Sequence, residues 1–164
     1  MSLFYSKSKD LELRYLSNFE RFPIKYKDKL YPSVEHGFQG LKYNISNCIS
    51  IGKKFEIGNE YDQLDGNEIK KLGGKGGFKR NKCELDIKKW NEVSFNIMKM
   101  LIESRYYNDN KFRDILNKHD KLFHFERSGE KSYWGGNWKK GDERIESKFR
   151  GKNMLAKIMT KIKE

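Results

Sequence analysis

The stretch from Ser33 to Ile45 constrains this chain more than any other. Ser33 is a good helix N-cap, with Pro32 just outside it. From Val34 onward the pattern is helical. At about 100° per residue, Val34, Phe38, Leu41 and Ile45 fall within roughly 60° of one another and form a core stripe. Glu35, Gln39 and Lys42 fall together about 100° away, as a second, polar stripe beside the core. Glu35 and Lys42 lie two turns apart, about 10.5 Å along the axis. An acid, an amide and an amine on one face suit a polar ligand the size of a sugar. Gly37 and Gly40 face the other side. A glycine inside a helix costs about 1 kcal/mol against alanine, so two of them imply that another element approaches that face closely. The same pattern also suits a plain structural helix, because Glu35 near the N-terminus and Lys42 near the C-terminus both favour the helix dipole.

Composition narrows the class. The 164 residues carry 14% aromatics and a formal net charge of +12. Disordered chains are poor in aromatics, and no apolar run approaches the length of a membrane span. The N-terminal residues lack the apolar stretch of a secretory signal. The expectation is one soluble, intracellular, cytoplasmic domain over residues 1–164, with no membrane partner. The basic excess favours an anionic partner such as nucleic acid or a phosphorylated small molecule. Of the 35 basic residues, 27 are lysine, a bias that genome composition also produces. Cys48 and Cys83 belong to no CxxC pair, so neither a disulfide nor a zinc site is expected. His36, His119 and His124 lack ligand spacing, and His119 and His124 read as structural despite Asp120 and Glu126 nearby. No metal or cofactor is expected.

The rest of the chain reads as a mixture of short strands and helices. Phe4-Tyr5-Ser6 predicts a short strand, and Phe22 to Tyr31 a hairpin turning at Asp28-Lys29. A short helix is expected around Lys53-Lys54-Phe55. Asp65 and Glu68 form a capping-box pattern for a helix over Asn67–Leu72 that stops at Gly73. Gly73 to Gly77 reads as a flexible glycine cluster. Asp86 caps the most strongly periodic helix, with Ile87, Trp90, Val93, Ile97, Met98, Leu101 and Ile102 inward. Asp109 caps another, carrying Phe112, Ile115 and Leu116. Leu122–Glu126 reads as a strand, Gly135 to Gly151 as a loop, and Met154 to Ile162 as an amphipathic helix. The methionines Met98, Met100, Met154 and Met159 read as core filler. The fold class is α+β, mostly helical, with a small N-terminal antiparallel β element.

Several motifs resemble one family. Leu16-Ser17-Asn18-Phe19, followed by Tyr31-Pro32-Ser33-Val34-Glu35-His36-Gly37-Phe38-Gln39-Gly40-Leu41-Lys42, resembles the LSNF and P-[ST]-x-E-H-x-[FY]-Q-x-x-K blocks of the YbiA-like or NADAR family. Tyr133-Trp134-Gly135 matches its YWG, Gly151-Lys152-Asn153-Met154-Leu155-Ala156 is similar to its G-x-N-x-L-G stretch, and Leu72-Gly73 with Lys75 to a weaker LGR segment. The motifs run in order over nearly the whole chain. The resemblance implies an N-glycosidase on a compact α+β domain. Some members hydrolyse phosphorylated ribosylamino-pyrimidine intermediates of riboflavin synthesis, and others remove ADP-ribose from modified guanine, including in DNA. It maps the family's acid to Glu35 and its helix lysine, implicated in Schiff-base formation, to Lys42. Asn18 and Trp134 map to positions that line the site. Phe19, Gln39, Lys75, Tyr133, Gly135, Asn137 and Asn153 complete the substrate-binding set expected from the matched motifs.

Those residue types suit the chemistry. Breaking a C1′–N bond builds positive charge on the ribose carbon, which a carboxylate stabilises while activating water. An amine attacks the aldehyde of a ring-opened ribose to give an imine, which requires neutral lysine. A nearby carboxylate raises a lysine pKa, so burial must oppose it or Glu35 must be engaged elsewhere. Trp134 offers a stacking face, the Asn18 amide a partner for a ribose hydroxyl, and Gly73–Gly77 with Lys75 a cradle for phosphate. One departure stands out. Many relatives continue YWG with Asp, whereas here Gly136 and Asn137 follow, and an amide is no general acid. Asp142 and Glu143 are the acids of the following loop, whose segment Trp138–Phe149 reads as a local insertion. Three readings stay open: removal of ADP-ribose from guanine, cleavage of a ribosylamino-pyrimidine phosphate, and non-catalytic binding of an ADP-ribose-like ligand.

Overall fold

A computed structural model describes residues 2–164. Its elements alternate short strands with helices in an α+β arrangement, and backbone contacts gather into two units: residues 18–109, and residues 2–17 with 110–164.

The first unit is built around one helix. A hairpin of β2 (Ile24–Tyr26) and β3 (Lys29–Tyr31) leads into helix α2 (Val34–Ile45). Its register pairs Ile24 with Tyr31 and Tyr26 with Lys29, so the turn falls on Lys27-Asp28, one residue before the expected place. Lys27 takes the left-handed conformation there, at φ 53°. Ser33 caps α2 as the sequence predicts, its Oγ accepting from the His36 amide at 3.1 Å. Helices α3 (Ile49–Lys53), α4 (Gly66–Leu72), α5 (Lys75–Arg80) and α6 (Ile87–Asn108) follow. Both glycines of α2 do what their placement implies. A Cβ on Gly37 would lie 2.8 Å from Leu101 of α6, and one on Gly40 would lie 2.8 Å from Phe55. Helix α2 packs against α3, α4 and α6, and Val34 through Leu41 are all buried.

Two expectations change in this unit. The glycine run 73–77 is not a flexible cluster: Gly74 caps α5, which begins at Lys75. Glycine's poor propensity is overridden by close packing, because a Cβ on Gly77 would sit 2.1 Å from the Leu72 carbonyl oxygen. As expected, Asp109 immediately precedes the next helix, and it also pairs with Arg105 at 3.3 Å, both almost wholly buried. Cys48 and Cys83 form a disulfide, with Cα atoms 6.3 Å apart, within reach of a bridge. The CxxC rule describes metal and redox motifs. A disulfide asks only for proximity in space, which the fold-back of α3, α4 and α5 supplies.

The second unit pairs β1 (Ser2–Phe4) in parallel with β4 (Leu122–His124), so the N-terminal strand starts earlier than expected. Helices α1 (Leu11–Tyr15), α7 (Asn110–Asn117) and α8 (Met154–Ile162) complete it. The segment 135–151 is more than a loop. Phe125 bridges Gly136, Asn137 bridges Arg150, and Glu146–Lys148 make one turn of 3₁₀ helix. Phe123, Trp138 and Phe149 stack against one another at 4.8–5.2 Å. Met98 and Met159 are core residues, whereas Met100 is exposed. Among the described residues no helix is long and apolar enough to cross a membrane.

The disulfide yields a stability prediction. It closes a loop spanning 35 positions, which restricts the unfolded chain by about 4 kcal/mol on a chain-entropy argument. Denaturant unfolding with and without a dithiol reductant should show a lower midpoint for the reduced protein, matched by the Cys48→Ser/Cys83→Ser variant. Identical midpoints for oxidised and reduced protein would mean that the bridge contributes nothing.

Candidate active site

The polar stripe of α2 is held by hydrogen bonds within the helix and to the end of α4. The Gln39 side chain donates from Nε2 to Glu35 Oε1 at 2.8 Å. Lys42 Nζ donates to the Gly73 carbonyl at 2.7 Å and lies 5.8 Å from the centroids of both the Phe78 and Trp90 rings. Glu35 and Gln39 are 7% and 6% exposed. Four elements build this arrangement: α2 supplies the stripe, the end of α4 the carbonyl, and α5 and α6 the two rings. Phe78 is fixed by a flat stack on Tyr43 at 3.9 Å, and Trp90 by Phe38 at 4.8 Å.

Burial weakens the hold of the amine on its proton. Desolvation pushes the Lys42 pKa below the ordinary lysine value, against the charge of Glu35, which raises it. Taking an ammonium out of water disfavours the charged form, and here that effect outweighs the carboxylate. The opposition anticipated between the two groups is therefore decided in favour of a more readily deprotonated lysine.

The N-terminus of α2 is held from two sides. The Asn18 carbonyl accepts from the Glu35 amide at 3.1 Å. The Asn18 side chain is buried, donates weakly to Met98 Sδ at 3.6 Å, and its Oδ1 has no hydrogen-bond partner. The oxygen of the Gln39 amide is also unsatisfied. Two buried acceptors that lack donors are unusual, and ligand hydroxyl or amino groups would satisfy them. Phe19 packs on the start of α4, where a Cβ on Gly66 would lie 2.1 Å from its ring. His36 is structural. Its Nε2 contacts the Tyr61 carbonyl at 3.0 Å, so Nε2 carries the proton and Nδ1 accepts from the Ser33 hydroxyl at 2.7 Å.

The blocks around this site recur as a family pattern. The model of the NADAR domain matches residues 3–164. The chain belongs to the NADAR family. Its fold is similar to the NMR structure of the Escherichia coli protein YbiA, with a TM-score of 0.63 over 99% of this chain and 84% of that one, at 22% identity. No curated protein matches the sequence.

Apart from Lys75, the remaining residues of the expected substrate-binding set lie in the other unit. The carbonyls of Tyr133, Trp134 and Gly135 accept from the amides of Met154, Leu155 and Asn153 at 3.1 Å, so the YWG turn receives the otherwise unpaired N–H groups at the start of α8. Asn153, left-handed at φ 53°, accepts from the His124 amide and donates to the Leu122 carbonyl. Both ends of its amide are spent on β4. Asn137 accepts from Arg150 at 2.7 Å. Trp134 meets Tyr133 edge to face at 4.7 Å. Lys75, in the first unit, is exposed at the start of α5. Phe78, Trp90 and the Gly73 carbonyl were not foreseen as site groups. Periodicity marks Trp90 only as inward-facing, the glycine run marks Gly73 only as part of a phosphate cradle, and nothing local marks Phe78.

Two titrations follow. In a ¹³C-labelled sample the Lys42 ε-methylene should titrate below the other lysines, and lower still in Glu35→Gln, since the carboxylate that raises it is gone. A Lys42 midpoint in the ordinary lysine range would contradict the burial argument. For His36, burial holds the imidazole below its ordinary 6.5. Between that depressed value and 6.5 the unfolded chain binds more protons, so stability falls as pH is lowered through this window. Equilibrium unfolding against pH should show the slope, and His36→Gln should reduce it.

Proposed function

We propose that this NADAR protein is an N-glycosidase that hydrolyses the bond between C1′ of ADP-ribose and a modified guanine, with DNA as the carrier of the base. The observation that carries the reading is the buried contact set of Glu35, Gln39 and Lys42, with the amine displaced toward its neutral form. Family membership supports a glycosidase-type reaction, and the +12 charge supports a polyanionic substrate.

The chain's own residues divide the work. As the C1′–N bond breaks, its electron pair leaves with the base nitrogen and the ribose carbon becomes electron-poor. Glu35 stabilises that charge and takes a proton from the attacking water. The oxygen of the water ends on C1′, and a proton ends on the base nitrogen. Where the ribose opens to its aldehyde, neutral Lys42 adds to the carbonyl carbon, and loss of water leaves an imine. A second water hydrolyses it and frees the amine. Gln39 orients the carboxylate, and the unsatisfied oxygen of Asn18 receives a ribose hydroxyl. Phe78 and Trp90 keep water from the amine.

The test is mass spectrometry of products from an oligonucleotide carrying ADP-ribosyl guanine, with the ribosylamino-pyrimidine phosphate as a second substrate. Wild type should release the unmodified oligonucleotide. Glu35→Gln should melt like wild type and lose turnover by about 10²–10⁴-fold, the usual contribution of a positioned acid or base. Borohydride with substrate should add mass to the Lys42 peptide. Cleavage of only the small substrate would move the protein to nucleotide metabolism. No product from either substrate would overturn the glycosidase reading in favour of binding alone.

A further inference from the structure

We infer that Gly73 is a positioning residue that sets both the acid and the amine through two different faces of one peptide unit. The inference deepens the reading above and shares its site. The carbonyl of Gly73 accepts the Lys42 ammonium proton at 2.7 Å. Its bare Cα receives the Gln39 amide: a Cβ at this position would lie 1.7 Å from Gln39 Oε1 and 2.3 Å from Cδ. That same amide donates to Glu35 at 2.8 Å. One residue at the end of α4 thus locates the amine by its oxygen and the carboxylate by the space it leaves.

The backbone does not explain the glycine. Gly73 sits at φ −83°, ψ −4°, a right-handed conformation that alanine adopts without strain. Its amide completes α4 by donating to the Ile69 carbonyl at 3.2 Å, which any residue but proline can do. What a side chain would displace is the far end of Gln39, which is flexible. A methyl group at position 73 therefore leaves the fold in place and swings the Gln39 amide off Glu35. A glycine needed only for packing would cost stability and leave the surviving folded protein fully active.

The experiment is a double-mutant cycle of Gly73→Ala and Gln39→Ala, read by kcat and KM on the substrate the wild type cleaves. Gly73→Ala should melt within a few degrees of wild type and lose kcat by about tenfold or more, as expected for a lost hydrogen bond to a charged group. KM should change far less. Gln39→Ala should lose a similar amount, and the double variant no more than either, because both remove one interaction. Losses that multiply would overturn the inference, as would wild-type kcat in Gly73→Ala. If Gly73→Ala does not fold, Gly73→Ala/Gln39→Ala should, since the colliding amide is gone. Failure of that variant too would overturn the inference. A readout free of catalysis separates this from failure of the glycosidase reading: the Gln39 side-chain amide should exchange slowly with solvent in ¹⁵N-labelled wild type and rapidly in Gly73→Ala. Protection retained in the variant sinks the positioning role whatever the substrate proves to be.

Discussion

Placing an acid and an amine on a helix with almost no solvent face is the constraint on which the first unit depends. From Val34 to Leu41 every residue of α2 is buried. A helix buried all round is ordinarily apolar all round, yet this one carries Glu35, Gln39 and Lys42 into the interior. An isolated buried charge is costly, and removing its partner leaves it uncompensated. The neighbours of α2 answer that demand in detail. On one side the two glycines admit Leu101 and Phe55, which supply apolar burial. On the other side the Gly73 carbonyl and the Gln39 amide supply hydrogen bonds where water has been removed.

The position of Gln39 matters as much as its chemistry. Glu35 and Lys42 are two turns apart, too far to form the short pair that neighbours at three or four residues make. Gln39 stands between them at four residues from one and three from the other. It occupies Glu35 through its nitrogen, so the carboxylate has a partner other than the ammonium. The coupling between acid and amine survives, raising the Lys42 pKa, but burial exceeds it. A direct ion pair would have fixed the lysine in its charged form. Engaging Glu35 through the Gln39 amide, and Lys42 through the Gly73 carbonyl, permits both groups to be buried without a direct ion pair.

Much of this was legible in the sequence because it is local. The cap at Ser33, the two faces of α2, the capping box at Asp65 and the long periodic helix after Asp86 depend on residues within a turn or two of one another. The Glu35–Gln39 contact follows from helical spacing alone. What escaped depends on which distant segments meet. The Cys48–Cys83 bridge, the pairing of Ser2–Phe4 with Leu122–His124 and the rings of Phe78 and Trp90 around Lys42 have no short-range signature. The glycine run was misread for a related reason. Its composition signals freedom, but the contact between Gly77 and the Leu72 carbonyl, which only a glycine permits, binds it into α5.

The departure at Gly136 fits the same logic of space. Many relatives carry an acid after the YWG turn, and the missing carboxylate is the feature that most challenges a catalytic reading. A Cβ on Gly136 would lie 1.8 Å from the Arg150 carbonyl oxygen, a backbone atom that cannot swing aside as the end of a side chain can. Gly136 also accepts from the Glu126 amide at 2.8 Å and donates to the His124 carbonyl at 2.9 Å. Asn137 meanwhile pairs with Arg150 through backbone and side chain alike. The segment is thus organised around a strand-like contact that leaves no room for a side chain at 136. A side chain therefore cannot simply be restored at 136, and the reaction proposed above asks only the carboxylate of Glu35 to act as the acid. On that reading Glu35 must be held in position, and the Gln39 amide that donates to it at 2.8 Å lies in the space left by Gly73.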